Sequence, residues 1–199
     1  MLTRLILGLS VLLAASNAHA LIGVAPVGIA NFDSSTSSVS GVGVTLDGKV
    51  GLGLGGLVTV PFGPLLSLET GLLLFSRKHT SAFTTSSHGR LQIPAMLKIT
   101  SLPIVSFGAG PYLEMAIGDV GLKNEITGLE STVTYEALNR DSTDYGIAAA
   151  ISADVALAPL IALLFDVRYQ IGLKNLSRTA STEFKFRGFQ VLAGVKFSL

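Results

Sequence analysis

Three features that often organise proteins are missing from this sequence. None of its 199 residues is cysteine, which excludes disulfide bonds and thiol chemistry. Tryptophan is also absent, so any aromatic ring at a membrane interface would have to consist of phenylalanine and tyrosine. After residue 20 there is no uninterrupted apolar run of about 20 residues, and the sequence therefore does not predict a transmembrane helix.

The first twenty residues have the three parts of a secretory signal peptide. Arg4 supplies the positive charge, residues 5–15 form a short apolar core, and Ala18 and Ala20 complete an A-x-A cleavage site. A retained N-terminal anchor is the alternative, but this core is too short to span a bilayer. We therefore expect a cleaved signal peptide over 1–20 and one domain over 21–199.

Charge is scarce and balanced in the expected mature chain. Loss of Arg4 from the 14 basic side chains leaves 13, against 13 acidic side chains, so the net charge is zero. This balance does not indicate nucleic acid or another polyanion as a partner. The mean hydropathy of +0.60 is nevertheless high. A membrane β-barrel reaches such a value without long apolar runs, because only every second strand residue must be apolar.

The stretch 145–174 contains two segments that alternate between apolar and polar residues, joined by a turn at Pro159. Asp154 lies opposite the apolar face of the first segment, and Asp166 and Arg168 lie opposite that of the second. In a transmembrane helix each charge would cost roughly 2.5–3.5 kcal/mol near the bilayer centre. In a barrel the same charges point into the lumen. A hairpin of two membrane-spanning strands is therefore favoured.

Eight alternating segments can be placed along the chain. They are 22–32, 49–60, 65–77, 89–99, 103–117, 145–157, 161–174 and 185–199. Short, proline-marked turns follow the second, fourth and sixth segments, whereas longer polar loops, including 33–48 and 118–144, lie between the others. This arrangement is typical of outer-membrane barrels. The sequence thus predicts an all-β fold, an eight-stranded antiparallel up-and-down transmembrane β-barrel, with both termini on the periplasmic side.

Two local features depart from simple strands. Residues 51–56 match the dinucleotide pattern G-x-G-x-x-G, but that pattern needs a following helix, and here a strand and a turn follow. Limited room inside a narrow barrel explains the glycines better. Pro94 and Pro111 lie within predicted strands, where each removes one ladder donor, and we expect a bulge or local distortion at both.

The interior of an eight-stranded barrel is narrow enough for side chains to fill it. Period-two alternation places four acidic and four basic residues on its inner face, namely Glu69, Glu114, Asp154, Asp166, Arg77, Lys98, Arg168 and Lys196. We expect these residues to form a packed ionic core, in which pairing fixes the arrangement of the side chains. A narrow conducting pore is the alternative.

A short motif raises the possibility of catalysis. His79 and Ser81 have the H-x-S spacing of outer-membrane lipid A deacylases, in which histidine activates a serine nucleophile. Ala82 stands where that motif commonly has asparagine, and no acidic residue nearby would orient the histidine. A polar loop end is therefore favoured. His79 and His88 do not make a metal site without further ligands, and no motif predicts a cofactor.

The predicted loop 118–144 carries six acidic residues and only two basic ones. Such a loop could bind divalent cations or a surface ligand. A simply solvated loop is favoured, since most acidic loops are only solvated.

Several segments together resemble a known family. LQIPAMLKI, FGAGPYLE, IALLFDVRYQIGL and VLAGVKF, with the glycine-rich strand before them, resemble the outer membrane β-barrel domain proteins of the PorT-like type. The general plan is similar to OmpX and the OmpA barrel. The resemblance covers nearly all of the mature chain. It implies an eight-stranded barrel in outer-membrane lipid, inserted by the barrel assembly machinery, without shared catalytic residues.

These observations lead to one expected function and two alternatives. We expect a small integral outer-membrane protein without enzymatic activity, with a structural or envelope role or a surface-interaction role through its outer loops. A lipid A-modifying acyl hydrolase and a narrow pore are the alternatives.

Overall fold

The computed structural model describes residues 21–39, 42–81, 83–102, 104–179 and 182–199. Nine strands are present in these residues: β1 (Gly23–Val39), β2 (Val42–Pro61), β3 (Leu66–Ser81), β4 (Thr84–Leu102), β5 (Val105–Asn124), β6 (Glu130–Val133), β7 (Thr143–Ala158), β8 (Ile161–Gly172) and β9 (Thr182–Ser198). No helix long and apolar enough to cross a membrane occurs in these ranges. The predicted signal peptide, with Ala18 and Ala20, lies outside them and stays a prediction.

Eight of the strands close into a ring by antiparallel pairing. The chain runs from β1 to β5 with each strand paired to the next, and β5 then pairs with β7. Strands β7, β8 and β9 continue the sheet, and β9 closes it against β1, where Gly23 pairs with Ser198. The short β6 pairs with the end of β5, outside the ring. The predicted eight-stranded antiparallel barrel is therefore confirmed.

The outward face of the ring carries a continuous band of apolar side chains, which we call the apolar belt. On successive ring strands the outward apolar row ends at Phe32, Val50, Leu74, Leu91, Ile117, Tyr145, Leu173 and Phe189. On β2 the row from Val50 to Val60 spans about 33 Å at about 3.3 Å per residue. A strand tilt of about 40° reduces this to a height of about 25 Å, which matches the apolar band of outer-membrane barrels.

The strands continue well beyond the apolar belt at the end opposite to Gly23 and Ser198. We call this part of the strands, together with the connections between them, the outer section. Strands β1 and β2 stay paired as far as Val39 and Val42, so the prediction of a loop over 33–48 is wrong. The predicted loop 118–144 is also shorter than expected, because β5 extends to Asn124 and forms a hairpin with β6. Ladder hydrogen bonds join backbone groups, so polar segments can extend strands as apolar ones do.

Neither internal proline produces a bulge, and that part of the expectation is wrong. Pro94 pairs with Tyr112, and the pairing of β4 with β5 resumes in the same register at Leu97 and Ala109. Pro111 pairs with Ile147 on the other side, again without a register shift. The missing donors thus interrupt the β4–β5 ladder locally without displacing the strands.

The glycine-rich segment 51–56 lies within β2, and no helix follows it in the described chain. A Cβ atom at Gly53 would lie 2.2 Å from the Leu74 carbonyl oxygen and 2.5 Å from Phe75 Cβ. The register of β2 against β3 also shifts between Lys49 and Gly53. The glycines therefore allow a close approach of two strands at an irregularity, and the helix that a dinucleotide site requires is not there.

Candidate functional site

Side chains fill the lumen from the end that carries the short turns and both chain termini toward the outer section. Lys196 on β9 and Asp154 on β7 lie nearest the turns, and the Lys196 Nζ atom is 2.7 Å from Asp154 Oδ2. Both side chains are partly exposed, at 20% and 34%. This first pair is therefore in contact with water.

Deeper in the lumen, two acidic and two basic residues form a closed network. Lys98 Nζ lies 2.6 Å from Glu69 and 2.8 Å from Asp166. Arg168 bridges the same two carboxylates at 2.7 Å and 2.8 Å. The Ser152 hydroxyl donates to Asp166 and accepts a hydrogen bond from Lys98. The four charges balance, and each carboxylate is held by two cations, as burial away from water requires.

Uncharged side chains fill the next level. Gln170 donates hydrogen bonds to Gln92 and Gln190, each at 3.2 Å. A cluster of buried apolar side chains extends along the lumen and includes Leu164, Leu192 and Leu73. No continuous aqueous passage is therefore expected through this level.

A second charged network lies at the upper edge of the apolar belt. Arg77 makes a two-pronged contact with Glu114, with distances of 2.9 Å and 2.7 Å. Arg77 also lies 3.0 Å from Asp33, and Arg90 lies 3.4 Å from Glu114. Asn31 donates a further hydrogen bond to Asp33. These contacts join two acids and two bases, and a further buried acid, Asp144, lies opposite Glu114 on β7.

All eight residues of the expected ionic core point into the lumen, and they fall into the three groups just described. Sequence reasoning missed two members of the upper network. Asp33 lies in the predicted loop 33–48, although its alternation with Asn31 on β1 is a usable signal. Arg90 lies two residues from Gln92 on the inner face of β4, so period two alone would have included it.

Two histidines lie above this network, in the outer section. His79 and His88 are both buried, and their rings are 5.9 Å apart. The His79 ring also stacks on Phe186, with centroids 5.3 Å apart. Burial, with the nearby Arg77, lowers the pKa of His79 to about 4. Burial and Arg90 hold the pKa of His88 well below its ordinary range. Both rings are therefore neutral at pH 7.

Of the proposed catalytic pair, the structure describes the side chain of the histidine only. His79 faces the lumen, and neither of its ring nitrogens has a hydrogen-bond partner. The Ser81 side chain lies outside the described part of the structure. Within the described residues, no group of three or more potential metal ligands forms around either histidine or elsewhere.

The connection after β6 folds over the outer end of the lumen. We call its residues 134–140 the cap. The Arg90 guanidinium lies 5.3 Å from the centre of the Tyr135 ring, and Arg140 lies 4.0 Å from that of Phe184. The backbone of Arg140 also forms an isolated bridge with Ser177. The cap is thus held to β4, to β9 and to the β8–β9 connection.

A cavity of about 270 Å³ lies beneath the cap. Its walls include Ser35, His79, Thr84, Ser86, Arg140 and Phe184. The cavity lies inside the ring of strands, above the upper charged network.

The acidic residues around the cap do not converge on a common point. Glu125 lies 3.6 Å from Lys49, and Glu130 lies 3.6 Å from Lys123. Asp141 pairs with both Lys174 and Arg178. A surface ligand at loop 118–144 stays a prediction, and this geometry does not favour a divalent cation there.

Residues 3–197 match the family model described as outer membrane protein beta-barrel domain. No curated protein matches the chain. The chain is similar to three solved structures, OprG from Pseudomonas aeruginosa, Neisserial surface protein A and the outer membrane protease OmpT from Escherichia coli.

OprG is 13% identical, with a TM-score of 0.57 over 92% of this chain and 98% of that chain. Neisserial surface protein A is 14% identical, with a TM-score of 0.48 over 89% and 97%. OmpT is 9% identical, with a TM-score of 0.42 over 92% and 100%. Similarity at this level concerns the fold, and one fold hosts many functions.

Proposed function

Because the chain belongs to the outer membrane protein β-barrel domain family, we propose that it is a non-conducting, non-enzymatic outer-membrane protein that acts through its outer section. The observation that carries this proposal is the filled lumen. Arg168 and Glu114 have no exposed side-chain surface, and Arg77 has 1%. Contact with outer-membrane lipid and insertion by the barrel assembly machinery follow from the proposed location.

The energetics of the two charged networks support a closed lumen. A permeating ion would have to separate buried pairs whose atoms lie 2.6–2.8 Å apart. Breaking one partner away from a buried pair costs about 3–5 kcal/mol. The two networks lie at different levels, so an ion would meet this barrier twice.

Planar-bilayer recording tests the absence of conductance. The refolded protein should give no current steps beyond the lipid background. An outer-membrane barrel of known conductance, reconstituted in the same way, serves as the positive control. Reproducible steps from the wild-type protein would overturn the proposal.

The orientation of the barrel is a second part of the proposal. The short turns, including Pro159 and Leu160, lie at the same end as Gly23 and Ser198, and the outer section lies opposite. Since outer-membrane barrels have short periplasmic turns and longer external loops, we place both termini in the periplasm. The cysteine-free chain permits a direct test. Ala137→Cys should react with a membrane-impermeant maleimide on intact cells, and Leu160→Cys only after permeabilisation.

The lipid A hydrolase alternative requires His79 to reach a lipid. Lipid contacts the outward face of the barrel, whereas the His79 side chain points inward and is 5% exposed. We therefore expect the lipid A mass spectrum to be unchanged by expression of the protein. Loss of an acyl chain that depends on His79 and Ser81 would favour the enzyme instead.

A further inference from the structure

The cavity beneath the cap contains polar groups whose hydrogen bonds are not made by the protein. Both ring nitrogens of His79 and the Ser35 hydroxyl are buried and have no partner among the described residues. His79 and Ser35 are 5% and 0% exposed, and both line the cavity. A buried polar group without a partner costs about 1–3 kcal/mol. Their placement therefore favours a polar occupant.

The charge of the cavity wall is positive. Arg140 lines the cavity, and no carboxylate in the described part of the chain forms an ion pair with it. Its observed contact is the Phe184 ring. The adjacent Asp141 is turned toward Lys174 and Arg178 instead. Burial lowers the pKa of Arg140, yet a guanidinium stays charged in proteins.

The other cations near the cavity are already balanced. Arg77 is paired with Asp33 and Glu114, and Arg90 lies within 3.4 Å of Glu114. Arg140 is consequently the cation that is available to interact with an occupant of the cavity. A metal cation at His79 would be repelled by this charge, whereas an anion would be attracted.

We propose that the cavity beneath the cap binds a small solute that carries a carboxylate or phosphate group, with Arg140 as its charge partner. His79 and Ser35 offer additional donors, and Thr84 and Ser86 add hydroxyl groups to the wall. The volume of about 270 Å³ lies just below the usual range for ligand pockets and limits the occupant to a small molecule. Lipid head groups contact the outward face and do not reach it.

This inference rests on the outer section being the functional part of the protein, but it does not require a closed lumen. Anion binding and bilayer conductance are measured separately, so each proposal can fail without the other. The binding experiment uses the folded protein in non-ionic micelles at low salt, titrated with inorganic phosphate, with acetate and with choline chloride. Calorimetry or amide chemical shifts report binding.

We expect saturable binding of at least one anion and none of choline, and the phosphate and acetate arms identify the preferred group. Arg140→Gln should weaken binding roughly tenfold or more, because it removes a charge-assisted contact. Arg178→Gln, an exposed arginine close to the cap, should leave binding unchanged. Heat-modifiable gel migration verifies that each variant is folded.

A second variant keeps the proposal testable if Arg140→Gln does not fold. Ser86→Leu retains Arg140 and fills part of the cavity, so it should abolish binding by occlusion. Absence of saturable binding by the folded wild-type protein would overturn the proposal. Equal affinity in wild type and in a folded Arg140→Gln or Ser86→Leu variant would overturn it as well.

Discussion

Lys98 and Lys196 both point into the lumen and both pair with aspartate, but water reaches them to different extents. The Lys98 side chain is 4% exposed, whereas that of Lys196 is 20% exposed. A buried charge depends on its partners, because the interior offers no solvation in their place. The distance to the aspartate partner is 2.8 Å or less in both cases. The burial of each lysine, and not this distance, should therefore determine how much stability its substitution costs.

The same substitution at these two lysines should have different costs. Lys98→Met leaves Glu69 and Asp166 with Arg168 alone and should destabilise the barrel by about 3–5 kcal/mol. Lys196→Met separates a partly solvated pair and should cost less than about 1 kcal/mol. Urea unfolding, followed by heat-modifiable gel migration, measures both. Equal shifts of the unfolding midpoint would show that the deeper network is not the more sensitive one.

His79 should make stability depend on pH. Its pKa is lowered from 6.5 to about 4 in the folded protein, mainly by burial. Between these values the unfolded chain binds a proton that the folded protein does not. Stability is therefore full above about pH 6.5 and falls as the pH decreases toward 4. The shift corresponds to on the order of 3 kcal/mol at the lower end, and His88 acts in the same direction.

Urea midpoints at about pH 7.5 and about pH 4.5 measure this effect. His79→Phe is the control, because it keeps a ring against Phe186 and removes the titrating group. Its midpoint should change less with pH than that of the wild type. An identical pH dependence in the variant would assign the loss of stability to other groups.

At the element scale, the membrane-spanning part of each strand was predictable and the outer part was not. Within the apolar belt the lipid-facing side of each strand must be apolar, whereas the lumen-facing side can be charged. Apolar and polar residues therefore alternate visibly in the sequence. Beyond it both faces meet water or polar groups, and the alternation disappears from segments such as 33–48. Asp33 itself still continues the inward row of Asn31, but the polar residues after it conceal that continuation. The position of the cap was not predictable either, because Arg140 and Phe184 are far apart in sequence and come into contact only when the barrel closes.

Close approach of β2 and β3 depends on glycine at particular positions. A Cβ atom at Gly71 would lie 2.2 Å from the Gly56 carbonyl oxygen, whereas one at Gly56 would meet nothing within 4 Å. Gly71→Ala should therefore cost about 1–3 kcal/mol through overpacking. Gly56→Ala, in the facing strand, should change stability by less than about 0.5 kcal/mol. The difference between their urea midpoints tests this, and equal midpoints would mean that the strands separate freely.

At the scale of the whole molecule, one sheet separates two environments. The outward face presents apolar side chains to lipid, and the inward face holds two ionic networks with a layer of hydrogen-bonded glutamines between them. The eight core charges belong to segments far apart in sequence, such as Glu69 and Arg168. Their pairing therefore requires the closed ring, and the ring in turn requires a lipid-facing surface. The ionic networks and the apolar belt therefore form together when the barrel closes in the membrane. The height of the apolar belt should be measurable.

Lysine substitutions along β2 should map that depth. Leu54 lies near the middle of the apolar belt and Val50 at its upper edge, and both point outward. Leu54→Lys should destabilise the protein in phospholipid vesicles by about 2–4 kcal/mol, and Val50→Lys by about 0–1 kcal/mol, because a charge near the interface remains hydrated. Urea-dependent refolding into vesicles measures both. If Val50→Lys proved the more costly, the belt would have to lie higher on the barrel, and the outer section would be correspondingly shorter.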